Sequence, residues 1–357
     1  MKVSIATGLL MCSLAGNVSA QTGVTMYGSL DAGGAYVSNS AGSALFKFNQ
    51  SNMQPDRWGF KGVEYLGGGL HTVFQLENGF FTGSGASVSS GTMWNRQAYV
   101  GLASPTAGTL TVGHQSSLNF DLLTPLSNAY LAQSWNAFHP GNIDNLANSA
   151  TSSVNNAIKY RSASYHGLSA SSLIGLGNTT NFGFGNTFSA GVNFASGNLK
   201  TAAIYSNQHN RAFGVAATGL ATFQGSPASA YIADRSETFG AGLLYTFGSL
   251  RVHGLYTRVR LEKGTASDVY QSYEAGAEYQ LTLANQVTGG VATTTMSGHR
   301  WSQIEVGYIY SLSRSTQLYL QALCEHTNAG TKAYLSIAGQ SSNENQVIVL
   351  SGMHHTF

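Results

Sequence analysis

The most constraining feature of this chain is a period-two alternation, repeated from Gly23 to Phe357 in stretches of about ten residues. Ile304, Val306, Tyr308 and Tyr310 alternate with Gln303, Glu305, Gly307 and Ser311. Tyr273, Ala275, Ala277 and Tyr279 alternate with Glu274, Gly276, Glu278 and Gln280. Leu70, Thr72, Phe74 and Leu76 alternate with His71, Gln75 and Glu77. A period of two puts one set on each face of a strand. The carboxylate-bearing face cannot tolerate hydrocarbon, so it requires water or a polar interior.

Composition decides what covers the other face. Charged residues make up 9% of the chain, too few for the solvated surface of a soluble sandwich or solenoid, where about 25% is usual. Yet hydrophobic residues reach only 43% and mean hydropathy is -0.04. Beyond residues 1–20 no apolar run approaches the ~18 residues that a helical span needs. A chain too poorly charged for water and too polar for helical spans fits a transmembrane barrel, whose residues face lipid and a watery lumen by turns. Aromatic residues near the segment ends fit interfacial girdles.

The alternating segments number about sixteen, and a bacterial single-chain barrel requires an even count. They fall near 23–37, 57–65, 69–79, 93–102, 108–115, 155–162, 168–177, 189–195, 199–209, 236–246, 250–259, 270–279, 285–297, 303–311, 316–327 and 346–357. Connections alternate in length. Tight turns at 66–68, 104–107 and 311–315 suit the periplasmic side, and long loops near 38–56, 80–92, 116–154, 210–235 and 328–345 suit the outside. The loop 116–154 lacks strand periodicity, and an unstructured connection of that size is usually functional. The expected fold is therefore all-β, an antiparallel transmembrane barrel.

The ends agree with export. Lys2, an apolar stretch to Gly16 and the small-x-small pattern Val18-Ser19-Ala20 read as a secretory signal peptide over 1–20, leaving a barrel domain over 21–357. Its removal takes Cys12, so Cys324 is left alone and can form neither an internal disulfide nor a structural zinc site. By parity Cys324 faces lipid with Leu318, Leu320 and Ala322. The formal charge of +2 falls to +1 without Lys2, so nothing recommends a nucleic-acid partner. His354 and His355 point to opposite faces, the glycine runs lack a following helix, and no Gly-x-Ser-x-Gly elbow occurs. Neither catalysis nor a metal or other cofactor is expected.

Several segments together resemble the Gram-negative general porins, in particular their β-proteobacterial branch. Gly23-Val24-Thr25-Met26-Tyr27-Gly28-Ser29-Leu30-Asp31-Ala32-Gly33 is similar to that family's first strand. Arg57-Trp58-Gly59-Phe60-Lys61-Gly62, Leu66-Gly67-Gly68-Gly69-Leu70 and Phe74-Gln75-Leu76-Glu77-Asn78-Gly79-Phe80 resemble its second and third. Asn95-Arg96-Gln97-Ala98-Tyr99-Val100-Gly101-Leu102 resembles the fourth, Asn155-Asn156-Ala157-Ile158-Lys159-Tyr160 the strand after the third loop, and Gly352-Met353-His354-His355-Thr356-Phe357 the terminus. The resemblance implies sixteen strands, a homotrimer in the outer membrane among lipid and lipopolysaccharide, export by the Sec route, and a third loop folded into the lumen. It also implies that the last strand, with Phe357 in phase with Met353 and Val349, is the signal read by the barrel-assembly machinery.

The resemblance places Arg57, Lys61 and Arg96 on the wall of a constriction. Parity puts Arg57 with Lys61 on one face and Trp58 with Phe60 on the other, sets Arg96 with Ala98 against Gln97 with Tyr99, and adds Lys159 and Arg161 as inward bases. The opposing wall would be the long loop, whose His139-Pro140-Gly141-Asn142-Ile143-Asp144 is similar to a family motif that often reads His-Pro-Gly-Asp. Asn142 stands at the usual acid, and Ser153 where many relatives carry arginine. Asp121 and Asp144 are the loop's only carboxylates. A basic wall facing an acid-poor loop predicts a passive pore for small hydrophilic solutes and ions, weakly anion-selective or non-selective; Asp31, inward by parity, argues against strong selectivity. A channel specific for a neutral solute such as a sugar is the nearest alternative, followed by a barrel hydrolase and an adhesin or structural barrel.

Overall fold

The computed structural model describes residues 23–147, 152–181 and 183–357; the expected signal peptide over 1–20 lies outside them. Seventeen strand segments form one antiparallel sheet. They are β1 (Gly23–Ser40), β2 (Ser43–Gln50), β3 (Arg57–Gly67), β4 (Leu70–Gly79), β5 (Gln97–Ser104), β6 (Gly108–Gln115), β7 (Val154–Arg161), β8 (Leu168–Gly175) and β9 (Thr187–Ser196). The series continues with β10 (Leu199–Ala212), β11 (Ile232–Phe247), β12 (Leu250–Lys263), β13 (Ala266–Gln280), β14 (Asn285–Met296), β15 (His299–Ser311), β16 (Thr316–Thr327) and β17 (Asn345–Thr356).

Strand β1 closes the sheet by pairing with β17 from Ser29↔Thr356 to Val37↔Ile348. Along its other edge, residues 23–29 pair with β3 and residues 32–40 with β2. Segments β2 and β3 are thus two halves of one wall strand, and the barrel has the sixteen strands expected. Closure leaves no free edge, which the hydrocarbon interior demands of any sheet that crosses it. Alternate side chains form an exposed apolar band, including Val63, Val100, Val192, Leu243, Ile304 and Leu318. Cys324 lies exposed on this outer side.

The expected long loop at 38–56 is corrected by the structure. Ala41 and Gly42, both at positive φ, make a two-residue turn that lets the strands continue, and only 51–56 leaves the wall. This excursion folds inward, with Asn52 and Met53 fully buried. The Asp31 carboxylate holds it, accepting from the backbone N–H of Met53 at 2.6 Å and Gln54 at 3.1 Å and from the Tyr319 hydroxyl at 2.7 Å. Strands β10 to β13 also run further outward than the alternation indicates. Past the membrane β12 keeps its alternation but inverts its sense, with Arg258, Arg260 and Glu262 on the outer face and Val259 and Leu261 buried inside, so the apolar-outward signal ends where lipid no longer enforces it.

The third loop folds into the lumen through short helical turns at Asn119–Leu123, Thr124–Leu126 and Asn128–Leu131. Leu118, Leu122, Leu123, Leu126, Leu131 and Leu146 pack on Val154, Ala157, Leu173, Ala202, Ile204, Leu244 and Leu255 of the inner wall. The wall is carved to receive them. A Cβ at Gly240 would lie 2.3 Å from Leu123 Cδ1, and one at Gly191 would lie 2.6 Å from Leu122 Cδ1. Each buried leucine contributes about 1.5–3 kcal/mol, so the leucine-bearing part of the loop is held against β7–β12, while Ala129 and Ala137 further along meet Ala35 and Val37 of β1.

Candidate functional site: the lumen constriction

The wall left uncovered by the loop is built in register. Tyr27, Gly59, Glu77 and Gln97 lie side by side across β1, β3, β4 and β5, and Thr25, Lys61, Gln75 and Tyr99 form the next row. Residues directly opposite share a face, so both rows point into the lumen. The Glu77 carboxylate is buried and bracketed: Arg96 Nε lies 2.6 Å from one oxygen and Arg57 Nε 3.7 Å from the other. Tyr27 donates its hydroxyl to Glu77 at 2.9 Å and accepts from Gln75 Nε2 at 2.7 Å, while Tyr99 donates to Gln75 Oε1 at 2.8 Å. Lys61 stands exposed with its ammonium 5.3 Å from the Tyr27 ring centroid. Glu77 is the ion-pair partner of both Arg57 and Arg96, Lys61 has no ion pair among the described residues, and buried Asp56 acts on Arg57 from beside it. Counting the three bases and Glu77 alone, the wall carries two positive charges in excess.

Arg96 arrives there by an unexpected route. Strand β5 begins at Gln97, and its inward residues are Gln97 and Tyr99, not Ala98. Parity cannot place Arg96, because it precedes the strand. Its side chain turns inward over Gly79, where a Cβ would lie 3.1 Å from Arg96 Cδ. Trp94, just before it, packs outside against Trp58 and Phe60.

The other named residues do not act as two opposed walls. Lys159 Nζ lies 2.7 Å from Asp121 Oδ2, and Ser116 donates to Asp121 Oδ1 at 2.6 Å, so this base and this loop acid neutralise each other. Arg161, further along β7, is exposed beside them in a cavity under the loop. Asp144 does not face the channel. It is fully buried, with Oδ2 at 2.6 Å from His139 Nδ1 and accepting from Thr257 Oγ1 at 2.7 Å. The reason is topological: the loop turns its 139–146 stretch toward the wall of β12 and β13.

His139 is the residue that motif reading missed. Its side chain is sealed between Asp144 and Glu274, with Nε2 3.1 Å from Glu274 Oε2. Burial disfavours its charge, but the two carboxylates outweigh that and push its pKa up to about 10. The other oxygen of Glu274 accepts the Asn128 backbone N–H at 3.0 Å. Asn128 completes the tie, with His253 Nε2 2.7 Å from its Oδ1 and its Nδ2 donating to the Val291 carbonyl at 3.1 Å. This cluster is a latch between loop and wall, closed to solute. Among the described residues no group of three or more His, Cys, Asp or Glu is arranged to hold a metal ion.

The barrel's terminus is equally specific. Phe357 exchanges backbone hydrogen bonds with Gly28 at 3.0 and 3.2 Å, and a Cβ at position 28 would lie 2.2 Å from the Phe357 ring. Only glycine admits the ring there.

Known proteins share this architecture and its sequence. A solved anion-selective porin from Comamonas acidovorans superposes with a TM-score of 0.80 at 22% identity, covering 94% of this chain and all of that one. OmpT of Vibrio cholerae in its trimer form gives 0.67 at 13% identity, covering 94% and 99% of the two chains. An outer membrane porin protein of Bordetella pertussis is 29% identical across 82% of this chain and 70% of its own. Outer membrane porin protein 32 of Delftia acidovorans is 27% identical over the whole of both. The sequence profile of the Gram-negative porins matches residues 6–329, and the chain belongs to that family of outer-membrane β-barrel channels.

Proposed function

We propose that this porin is an open, passive diffusion pore, assembled as a homotrimer, with a modest preference for small anions. The observation that carries the preference is the charge balance around Glu77. Arg57 and Arg96 share one carboxylate and Lys61 has no ion pair among the described residues, while both loop acids are spent on Lys159 and His139. A narrow lumen with uncompensated charge raises the local concentration of counter-ions. Arg161, beyond the Lys159–Asp121 pair, adds to the same sign. Two similar solved structures, an anion-selective porin and OmpT in its trimer form, support the same reading. Phe357, seated on Gly28 at the closing seam, serves as the terminal signal for barrel assembly in a membrane of lipid and lipopolysaccharide.

The test is conductance of the refolded protein in a planar bilayer under a potassium chloride gradient. Steps closing in threes, with a reversal potential of the sign set by chloride, are expected. A potassium-preferring reversal potential would refute the charge argument, and silence from folded trimer would refute the open pore.

A further inference from the structure

On the long-loop side of the constriction lies a cavity of about 460 Å³, within the range of small-molecule sites. Its walls come mainly from three separate stretches of chain, the 49–51 corner, the third loop at 135–142 and the last long loop at 334–337, with Phe81, Ala147, Ala217 and Gln303 completing it. Trp135 and Phe138 meet there edge to face, ring centroids 4.8 Å apart and planes at 89°. Trp135 is held in place, since its backbone N–H donates to the Asn52 carbonyl at 2.7 Å.

Two polar groups in this lining have no partner among the described residues. Asn136 Nδ2 and Gln303 Oε1 are both buried and make no hydrogen bond there, in residues only 7% and 5% exposed. Gln303 spends its other end on Glu325, donating at 3.0 Å, so its free oxygen is held in a fixed direction. Buried polar groups left unmatched are costly, and both residues border the cavity. Among the described residues of the lining only His139 can carry a positive charge, which is already shared between two carboxylates, and Tyr334 adds a phenol.

We propose that this vestibule is a weak binding site for neutral, ring-shaped polyhydroxylated solutes, the chemistry of a hexose. The C–H face of a pyranose lies against the Trp135 and Phe138 rings, and its hydroxyls, which both donate and accept, serve Asn136 and Gln303 together. Among the described residues of this lining an anion finds no free cation and a cation no free carboxylate. A purely aromatic solute would leave both carboxamides unmet. The site deepens the reading of the protein as an open pore: it retains a neutral solute at the mouth, while the Arg57–Lys61–Arg96 wall sorts ions beyond it.

The experiment uses refolded protein in a non-sugar detergent and reads intrinsic tryptophan fluorescence against added D-glucose and maltose. In parallel, ion current is recorded in a bilayer with the sugar on one side. Expected are a saturable fluorescence change and a saturable fall in current with the same midpoint. The midpoint rises at least tenfold in Trp135→Ala and in Gln303→Met, while the sugar-free conductance of Gln303→Met stays within twofold of the parent. A fluorescence change that only tracks bulk sugar concentration, a midpoint unmoved by both substitutions, or saturable binding of phenol but not sugar overturns the proposal. Absence of any current in salt alone would instead count against the open-pore reading, and the fluorescence titration would still decide the site.

Discussion

Substituting Glu77→Gln should increase the anion preference, and by an amount the structure allows to be worked out. The side chain keeps its shape, its amide oxygen can still accept from Arg96 and its amide nitrogen can donate to the Tyr27 hydroxyl oxygen, so the wall is expected to hold while one negative charge goes. An ion on the axis, about 8 Å from that position, feels about 0.2 kcal/mol from one unit charge in water at 0.1 M salt, after screening over a Debye length of about 10 Å. That enriches anions by roughly 1.5-fold and depletes cations equally, so each wall charge changes the anion-to-cation permeability ratio about twofold. Two unbalanced charges then give a ratio of about four to five in the parent. Glu77→Gln should raise it about twofold, and Arg96→Gln or Lys61→Gln should lower it about twofold. The readout is the reversal potential across a tenfold salt gradient, which should move by about 10 mV in opposite directions for the two kinds of variant. Near 1 M salt, where the Debye length is about 3 Å, the differences should vanish. If Glu77→Gln leaves the potential unmoved at low salt, or moves it toward the cation side, then Glu77, Arg57 and Arg96 do not border the conducting path.

Three further outcomes follow from the loop and the seam. Gly240→Val puts atoms where Leu123 packs, Cβ alone falling 2.3 Å from its Cδ1, so the loop should lift toward the lumen and single-channel conductance should fall by about half or more; unchanged conductance would show that the loop is not seated on that strand. His139 has a pKa raised to about 10, so its latch is fully present below the unfolded value near 6.5 and is lost as pH rises through about 10. Current noise from loop motion should therefore grow between these pH values in the parent and be high and flat in His139→Gln, and a parent with flat noise would dismiss the latch. Gly28→Leu displaces the Phe357 ring and should reduce the yield of heat-modifiable folded trimer severalfold, as should deletion of Phe357; normal yields in both would show that this contact plays no part in assembly.

The barrel was legible because lipid enforces its own pattern. Wherever a strand crosses the membrane, as at Ile304–Val306–Tyr308–Tyr310, the outward residue must be apolar, and the sixteen segments could be found from that requirement alone. Legibility failed where the requirement lapses. At 38–56 the run Asn39-Ser40-Ala41-Gly42 reads as the start of a loop, yet two residues at positive φ make a hairpin, and Asp31 organises the excursion at 51–56 from a strand some twenty residues earlier. Parity also misled at β5, because Arg96 lies one residue outside the strand and obeys no alternation. The inward placement of the candidate bases was legible, but their pairing was not. Residue type and neighbourhood mark Arg57, Lys61 and Arg96 as wall bases, whereas Lys159–Asp121 and His139–Asp144 are contacts made by the path of the loop, which no spacing encodes.

That path has a consequence for selectivity. A loop held by leucines alone could slide along the wall, since apolar contact is non-directional. The leucine pockets at Gly191 and Gly240 fix which strands the loop covers, and the directional ties of Asn128, His139 and Asp144 fix its register upon them. Each of the loop's two acids is consumed by this anchoring or by Lys159, so seating the loop also removes its negative charge from the channel. Structure and ion preference are therefore coupled through the same side chains. A substitution that loosens the latch, such as His139→Gln, releases Asp144 and Glu274 from their cation and should shift the reversal potential toward cations while it raises the noise. Loosening at Gly240, which removes no ionic group, should change conductance with much less effect on the sign or size of that potential. Measuring both quantities on both variants separates the mechanical role of the loop from its electrostatic one. Equal shifts in reversal potential from the two would mean that loop position alone, and not the pairing of its acids, sets the preference.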